Sequence, residues 1–386
     1  MYCEDDHRSQ HPGPERALLG RIAAASHVTS GPLSGVWEGE VAAFLGVPYA
    51  AAPVGAKRWR PPQSPPIWET TLAADQFSNS CIQTLNPEGG ADNPWTREYS
   101  TQGDVSEDCL YLNVWTGRQH EGERQPVLVW VHGGAFINGA GSIPIYHGAS
   151  LAKRGIVVVT INYRVGVLGF LAHPELSAES PHGVSGNYGL LDAVAALEWV
   201  RDNIAAFGGD PERVTVAGQS AGARAVQALI HSPRAKGLFA RAILQSRPRL
   251  DPLRDDIKAA EAAGVEFAAS QGVTSIEELR GLSALEVFDG PEWIAGRGPR
   301  FVPVFDGWFL PAQPADSLES GTYNDTPVMA GITADEGSVS EARYARQLSR
   351  ARPEHVRRCS RGTTRALSCQ HGCRRRRHDP RDRSRP

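Results

Sequence analysis

The pentapeptide GQSAG at residues 218–222 indicates the fold of this chain. It follows the apolar run VTVA at 214–217 and precedes a stretch of helical character at 224–230. A serine between small residues, where a strand turns into a helix, is typical of a nucleophile elbow. Glycine lets strand and helix approach closely at such a strained turn. The pattern predicts a nucleophile at Ser220, with the Ala221 amide free to donate to a developing oxyanion.

A second glycine-containing turn follows another predicted strand. The run VLVWV at 127–131 is continuously apolar, as expected of a strand buried on both faces, and HGGAF follows at 132–136. Gly133 and Gly134 carry no side chain that would keep a ligand away from the backbone. Their amides are therefore candidate oxyanion donors beside that of Ala221.

Further segments alternate between strand and helix character. Leu190, Val194, Leu197, Val200 and Ile204 are spaced to share one helical face. Strands are predicted at 28–37 as a hairpin, and at 41–48, 107–115, 155–163, 242–245 and 327–331, with helices over 253–289. This order predicts an α/β fold with a mostly parallel central sheet and helices on both faces. Ligands of such sheets bind at the carboxyl ends of the strands.

Composition excludes several classes of protein. The chain has 386 residues, 41% of them hydrophobic, but neither an apolar run of membrane-spanning length nor a signal-peptide core near Met1. We expect a protein without a membrane partner, cytoplasmic by default. Its six cysteines show no paired zinc spacing, and Cys369 and Cys373 beside two histidines are weak evidence for a metal. No metal or cofactor is predicted.

Seven stretches together resemble the type B carboxylesterases of the α/β-hydrolase fold, which include cholinesterases and bacterial para-nitrobenzyl esterases. They are FLGVPYA at 44–50, EDCLYLNVW at 107–115, HGGAF at 132–136, NYRVG at 162–166, GNYGLLD at 186–192, FGGDPERVTVAGQSAG at 207–222 and DEG at 335–337. They occur in the order of the family across about residues 28–340.

The resemblance implies a serine hydrolase of carboxylic esters. It implies Ser220 as nucleophile, Glu336 as triad acid, and Gly133, Gly134 and Ala221 as oxyanion donors. The order of serine before acid also matches α/β-hydrolases, in which the histidine comes last. The reaction would form an acyl-enzyme on Ser220, with a small-molecule ester as substrate.

The resemblance also implies structural roles. Cys81 and Cys109 correspond to the N-terminal disulfide of the family, although two buried thiols in a reducing compartment are an equal alternative. The family's two buried ion pairs would join Arg58 to Glu107 and Arg164 to Asp192.

Several positions depart from the family. Gln219 replaces a common Glu, Ala135 a common third Gly, and Arg247 a common Gly. The catalytic His is unknown: of the residues after Glu336, only His355, His371 and His378 are histidines, in no recognisable context. For His132, holding the oxyanion loop by a hydrogen bond is a better interpretation than catalysis.

Charge divides the chain. Residues 341–386 carry 15 arginines and four acidic residues, a charge of +11, which leaves −14 on the rest. We predict a loose leader at 1–27, an incomplete hydrolase domain at 28–340, and a basic tail at 341–386. The tail lacks enough aliphatic residues to fold, so it is disordered or translated out of frame. A basic arm for nucleic acid is the alternative, which the acidic body disfavours.

Two interpretations of the function remain beside that arm. The first is a carboxylesterase, whose activity without a recognisable histidine is left open. The second is a non-catalytic, cholinesterase-like protein that binds partners, and the retention of Ser220 and Glu336 disfavours it. Phe136, Trp293 and Trp308 are candidates for the substrate pocket or for the core, and neither the ester nor the oligomeric state is predicted.

Overall fold

The computed structural model of the chain describes residues 24–85, 96–118, 120, 122–246, 256–288 and 301–334. The strands are β1 (Ala24–Val28), β2 (Gly31–Glu38), β3 (Val41–Pro48), β4 (Leu72–Ala73), β5 (Ser80–Cys81), β6 (Val105–Ser106), β7 (Tyr111–Thr116), β8 (Gln125–Val131), β9 (Val157–Ile161), β10 (Gly209–Gln219), β11 (Arg241–Gln245) and β12 (Val328–Gly331). The α-helices are α1 (Ala149–Ala152), α2 (Gly166–Phe170), α3 (Pro174–Glu179), α4 (Tyr188–Asn203), α5 (Ala221–His231), α6 (Ile257–Ser270), α7 (Ile276–Gly281), α8 (Ala284–Phe288) and α9 (Pro314–Ser320).

The central sheet is mixed. Its strand order is β1-β2-β3-β7-β9-β8-β10-β11-β12, with β4 beside β2, and β5 and β6 form a separate pair. The strands from β1 to β9 along this order pair antiparallel, whereas β9, β8, β10, β11 and β12 are all mutually parallel. The predicted α/β fold is confirmed, but the sheet is mixed rather than mostly parallel, because the strands that precede β8 in this order pair antiparallel. The glycine turns follow strands of the parallel part.

The helix predicted from the spacing of apolar residues packs against this parallel part. Leu190, Val194, Leu197, Val200 and Ile204 are all buried, on α4 and the 3-10 turn that follows it. Both α4 and α5 contact β10, so they cover the strand that ends at the predicted nucleophile. The spacing of apolar residues on one helical face therefore predicted the position of this helix correctly.

The start of the first hairpin differs from the sequence prediction. β1 includes four residues of the predicted loose leader, because Ala24 and Val28 are buried and the strand pairs with β2. The described part of the predicted helical stretch 253–289 contains α6, α7 and α8, separated by short non-helical links. The predicted tail, 341–386, and leader residues 1–23 lie outside the described residues.

The strand predicted at 107–115 begins only at Tyr111, because the residues before it make other contacts. Cys109 forms a disulfide with Cys81 of β5, so the oxidised alternative is the one present in the structure. Glu107 receives two hydrogen bonds from Arg58, at 2.6 and 2.7 Å. The chain therefore joins the sheet only after these cross-links.

The second predicted ion pair is also present. The Arg164 guanidinium donates to both carboxylate oxygens of Asp192, at 2.8 and 2.6 Å, and both side chains are buried. Buried pairs of this kind fix geometry more reliably than they add net stability. Here the pair ties the segment after β9 to α4.

Candidate active site

Ser220 occupies a strained turn between β10 and α5. Its φ of 56° and ψ of −118° lie outside the regions that side chains ordinarily adopt. Its amide donates to the Gln245 carbonyl of β11 at 2.9 Å, which holds the turn against the neighbouring strand. Strain at a single polar residue that the surrounding fold holds in place is typical of functional sites.

The glycines beside Ser220 are required by close backbone contacts. A Cβ on Gly222 would lie 2.1 Å from the Val131 carbonyl oxygen of β8, and one on Gly218 would lie 2.4 Å from the carbonyl carbon of Gly222. Real Cβ atoms do not approach other atoms so closely. The first turn of α5 therefore packs directly on β10 and on the end of β8, as a nucleophile elbow requires.

The structure brings the predicted oxyanion loop, which we define as residues 132–141, next to the nucleophile. A Cβ on Gly133 would lie 3.4 Å from the Ser220 Cβ. Gly134 has a φ of 109°, and a Cβ there would lie 2.1 Å from the Asn138 carbonyl oxygen. Both glycines are thus needed for the path of this loop.

Three amides near Ser220 are candidate donors. Within the described part of the chain, the Gly134 amide has no hydrogen-bond acceptor, whereas the Gly133 backbone forms a hydrogen bond with the Tyr146 hydroxyl. Ala221 is the first residue of α5, where a helix leaves its amides without an intrahelical partner. Unpartnered N–H groups beside a serine can stabilise a developing oxyanion.

His132 supports this loop rather than acting on Ser220. Its ring is fully buried, lies 2.8 Å from the Gly133 carbonyl oxygen through Nδ1, and stacks on Tyr163 with ring centroids 4.2 Å apart. Burial lowers the pKa of His132 to about 4, so the ring is neutral near pH 7. Because a carbonyl only accepts, Nδ1 carries the proton and donates it to Gly133. The Tyr163 hydroxyl donates to the His132 carbonyl at 2.9 Å.

Gln219 faces the same loop. A Cβ on Gly133 would lie 3.1 Å from the Gln219 side-chain oxygen and 2.7 Å from its backbone oxygen. A carboxylate at this position would place a negative charge beside amides that must stabilise an anion. The replacement of the common Glu by Gln therefore keeps this part of the site neutral.

Sequence reasoning missed two side chains that hold the oxyanion loop. Gln83 binds both backbone groups of Gly139, and Asn162 accepts from the Gly141 amide at 2.8 Å. Asn162 lies in the NYRVG stretch, so its place in a motif could have indicated a role. Gln83 lies far from the loop along the chain, in a stretch without a periodic pattern.

Several predicted site residues cannot be placed. Glu336 lies outside the described residues, as do Arg247, Trp293 and His355, His371 and His378. None of the histidines in the described ranges forms a hydrogen bond with Ser220, which leaves the general base unassigned.

The two aromatic candidates for the substrate pocket that the structure describes have other surroundings. Phe136 is buried in the core, with its ring 5.3 Å from that of Phe170. Trp308 lines a cavity of about 430 Å³ along α4, whose lining does not include Ser220.

The described residues show neither a metal centre nor a membrane span. They contain no cluster of three or more histidine, cysteine or acidic side chains placed to hold a metal ion. No helix among them has the length and hydrophobicity needed to span a bilayer.

Comparison with protein families gives one match over most of the chain. The model of the carboxylesterase family matches residues 24–370. The chain belongs to the carboxylesterase family. This match begins at the first residue of β1, which agrees with the position of that strand in the sheet.

Individual carboxylesterases support the same assignment. The chain is 45% identical over 312 residues to a fumonisin B1 esterase of Sphingopyxis macrogoltabida, covering 81% of this chain and 56% of the relative. It is 37% identical over 315 residues to a para-nitrobenzyl esterase of Bacillus subtilis, covering 80% and 62%. The chain thus spans less than two thirds of the length of these relatives.

Solved structures give the fold. A para-nitrobenzyl esterase structure superposes with a TM-score of 0.73 at 35% identity, covering 82% of this chain and 64% of that one. A carboxylesterase of Geobacillus stearothermophilus superposes with a TM-score of 0.71 at 38% identity and the same coverages. The predicted resemblance is confirmed: the fold is α/β-hydrolase-like, with a mixed central sheet flanked by helices.

Proposed function

We propose that this protein hydrolyses carboxylic esters through an acyl-enzyme on Ser220. The observation that carries the proposal is the strained turn at Ser220 beside the oxyanion loop, with the Gly134 and Ala221 amides without a partner and the Gly133 amide next to them. The nucleophile and the oxyanion donors are two of the groups that ester hydrolysis needs next to the ester carbonyl. Family membership supports small esters as the substrate class.

In the proposed reaction, the Ser220 hydroxyl oxygen bonds to the ester carbonyl carbon. The carbonyl oxygen becomes an anion that accepts hydrogen bonds from the loop amides and from Ala221. The tetrahedral intermediate collapses, the alkoxide departs with the proton of Ser220, and the acyl group remains on Ser220. A water molecule then attacks the acyl-enzyme and releases the carboxylic acid.

Proton transfer needs a base that the described residues do not provide at Ser220. Glu336 is proposed as the acid that would orient such a base, by its place in the DEG stretch of the family. Without a base the serine hydroxyl stays protonated and attacks slowly. We therefore expect turnover below that of a complete triad unless His355, His371 or His378 supplies the base.

The test is a colorimetric assay with para-nitrophenyl butyrate. We expect ester cleavage that is lost in Ser220→Ala, and retained in Ser232→Ala, which removes a serine hydroxyl after the end of α5. Equal cleavage by the wild type and by Ser220→Ala contradicts the proposal. Single replacements of the three late histidines by Ala then show whether one of them is the base.

A further inference from the structure

Gln83 closes the base of the oxyanion loop. Its Oε1 accepts from the Gly139 amide at 2.7 Å, and its Nε2 donates to the Gly139 carbonyl at 2.9 Å. Since an amide N–H only donates and a carbonyl only accepts, Gly139 itself determines which end of the Gln83 side chain is oxygen. The carboxamide of Asn and Gln carries an N–H donor and an oxygen acceptor on the same carbon, so it can bind both backbone groups of one residue.

The rest of the Gln83 amide is also occupied. Nε2 donates to the Cys81 carbonyl at 2.9 Å, and Oε1 accepts from the Thr101 hydroxyl at 3.1 Å. The side chain is only 3% exposed, so water cannot replace these partners easily. With two donors and two acceptor positions filled, Gln83 holds one orientation.

Gly139 transmits this constraint to the site. Its φ is 116°, and a Cβ there would lie 2.2 Å from the His132 Nδ1 and 2.4 Å from the Gly133 carbonyl oxygen. The Gly139 backbone therefore packs directly on the hydrogen bond between His132 and Gly133. A shift of Gly139 would therefore move the peptide group that joins Gly133 to Gly134, and with it the Gly134 N–H.

The disulfide anchors Gln83 in turn. Cys81 precedes Gln83 by two residues, and its carbonyl accepts one of the four hydrogen bonds. Its partner Cys109 lies two residues before β7, a strand inside the central sheet. The disulfide thus connects the segment that carries Gln83 to the sheet.

We propose that Gln83 is a positioning residue for the oxyanion hole, and that Gln83 and the Cys81–Cys109 disulfide act as one clamp on the oxyanion loop. The clamp holds Gly139, and through it the Gly133 peptide, so that the loop amides point at the position of the oxyanion. This inference rests on the proposed function of Ser220. It concerns residues that position the oxyanion donors but do not take part in making or breaking bonds.

The test measures the second-order rate constant for phosphonylation of Ser220 by a fluorophosphonate, whose P=O oxygen needs the same donors as an ester. Loss of one oxyanion donor typically costs roughly 100- to 1000-fold in rate, and misplacement somewhat less. We expect about a 10- to 100-fold decrease in Gln83→Met, which removes all four hydrogen bonds. Gln83→Glu keeps the acceptor but loses the donor to the Gly139 carbonyl, and we expect an intermediate decrease.

Two controls separate positioning from stability. Thr101→Val removes one of the four bonds and leaves both bonds to Gly139, so the rate should change by no more than about threefold. Val287→Ala, in a fully buried position on α8, lowers stability without contact to the loop, so its rate should equal that of the wild type. A folded Gln83→Met or Gln83→Glu chain that reacts at the wild-type rate contradicts the clamp.

A double-mutant cycle tests whether the disulfide belongs to the same clamp. The Cys81→Ser, Cys109→Ser chain should react several-fold more slowly, and adding Gln83→Met should slow it little beyond Gln83→Met alone. Effects that multiply instead would show two independent contributions and overturn the single clamp. A wild-type chain that is not phosphonylated at Ser220 contradicts the proposed function itself, which is a separate result.

Discussion

The centre of the sheet and its β12 edge differ in how deeply their side chains are buried. In β8 and β10, Val129, Val131 and Val216 are at most 1% exposed, with strands on both sides and helices against β10. In β12, Val328 is 47% and Met329 69% exposed, and β11 is the strand it pairs with in the described part of the chain.

This difference separates the two halves of the proposed site. Ser220 and the oxyanion loop follow the buried strands, so their geometry depends on tight packing. The position proposed for the acid, Glu336, follows the exposed strand. We therefore expect the nucleophile and the oxyanion donors to tolerate substitution poorly, and β12 to tolerate it well.

The largest contrast should come from removing apolar side chains. Ile161 of β9 is fully buried, and a change of this kind typically costs 2–5 kcal/mol, so Ile161→Ala should lower the free energy of unfolding by about 3–4 kcal/mol. Met329→Ala on β12 should change it by less than about 0.5 kcal/mol. Urea denaturation of both variants measures the two free energies of unfolding. Equal decreases in the two variants would contradict the contrast.

A smaller contrast concerns two glycines. Gly222→Ala forces a Cβ against the Val131 carbonyl oxygen, and overpacking typically costs 1–3 kcal/mol, so we expect a loss of about 2–3 kcal/mol together with slower reaction at Ser220. Gly331→Ala on β12 meets no atom within 4 Å and should have little effect. If Gly222→Ala reacted like the wild type, the elbow would not depend on this contact.

The smallest expected effect is a pH dependence of the stability, which comes from the buried His132. The pKa of His132 lies near 4 in the folded chain because of burial, below its unfolded value of about 6.5. The unfolded chain then binds a proton that the folded chain does not, so stability falls as the pH decreases from about 6.5 to 4. Between pH 7 and 5.5 this amounts to about 1 kcal/mol.

His132→Asn removes the titration and keeps a donor near the Nδ1 position. We expect the stability difference between pH 7 and 5.5 to shrink by about 1 kcal/mol in this variant. An unchanged difference in His132→Asn would mean that the ring is not held neutral by burial.

The sequence predicted those parts of the fold that repeat a local pattern. The apolar run at 127–131 and the helical spacing from Leu190 to Ile204 both lie where the prediction put them, because burial on two faces or on one face leaves a visible period. The first hairpin was predicted to start four residues too late, because AASHV at 24–28 lacks the run of β-branched and aromatic residues that marks a strand.

The candidate site likewise contains residues that the sequence predicted and residues that it did not. Gly133, Ser220 and Ala221 were predicted because each lies in a motif whose residue types have a physical cause. Gln83 was not, because its partners Gly139 and Thr101 are distant in sequence and an isolated glutamine shows no pattern. The disulfide stayed open at the sequence level because oxidation depends on the surroundings of the chain as well as on the spacing of its cysteines.

The most direct test of the account is where a fluorophosphonate attaches. After reaction of the purified chain, digestion and mass spectrometry should find the adduct on the peptide that contains Ser220, and the Ser220→Ala variant should carry none. An adduct on another serine, or equal labelling of wild type and Ser220→Ala, would contradict the claim that the strained turn between β10 and α5 holds the nucleophile.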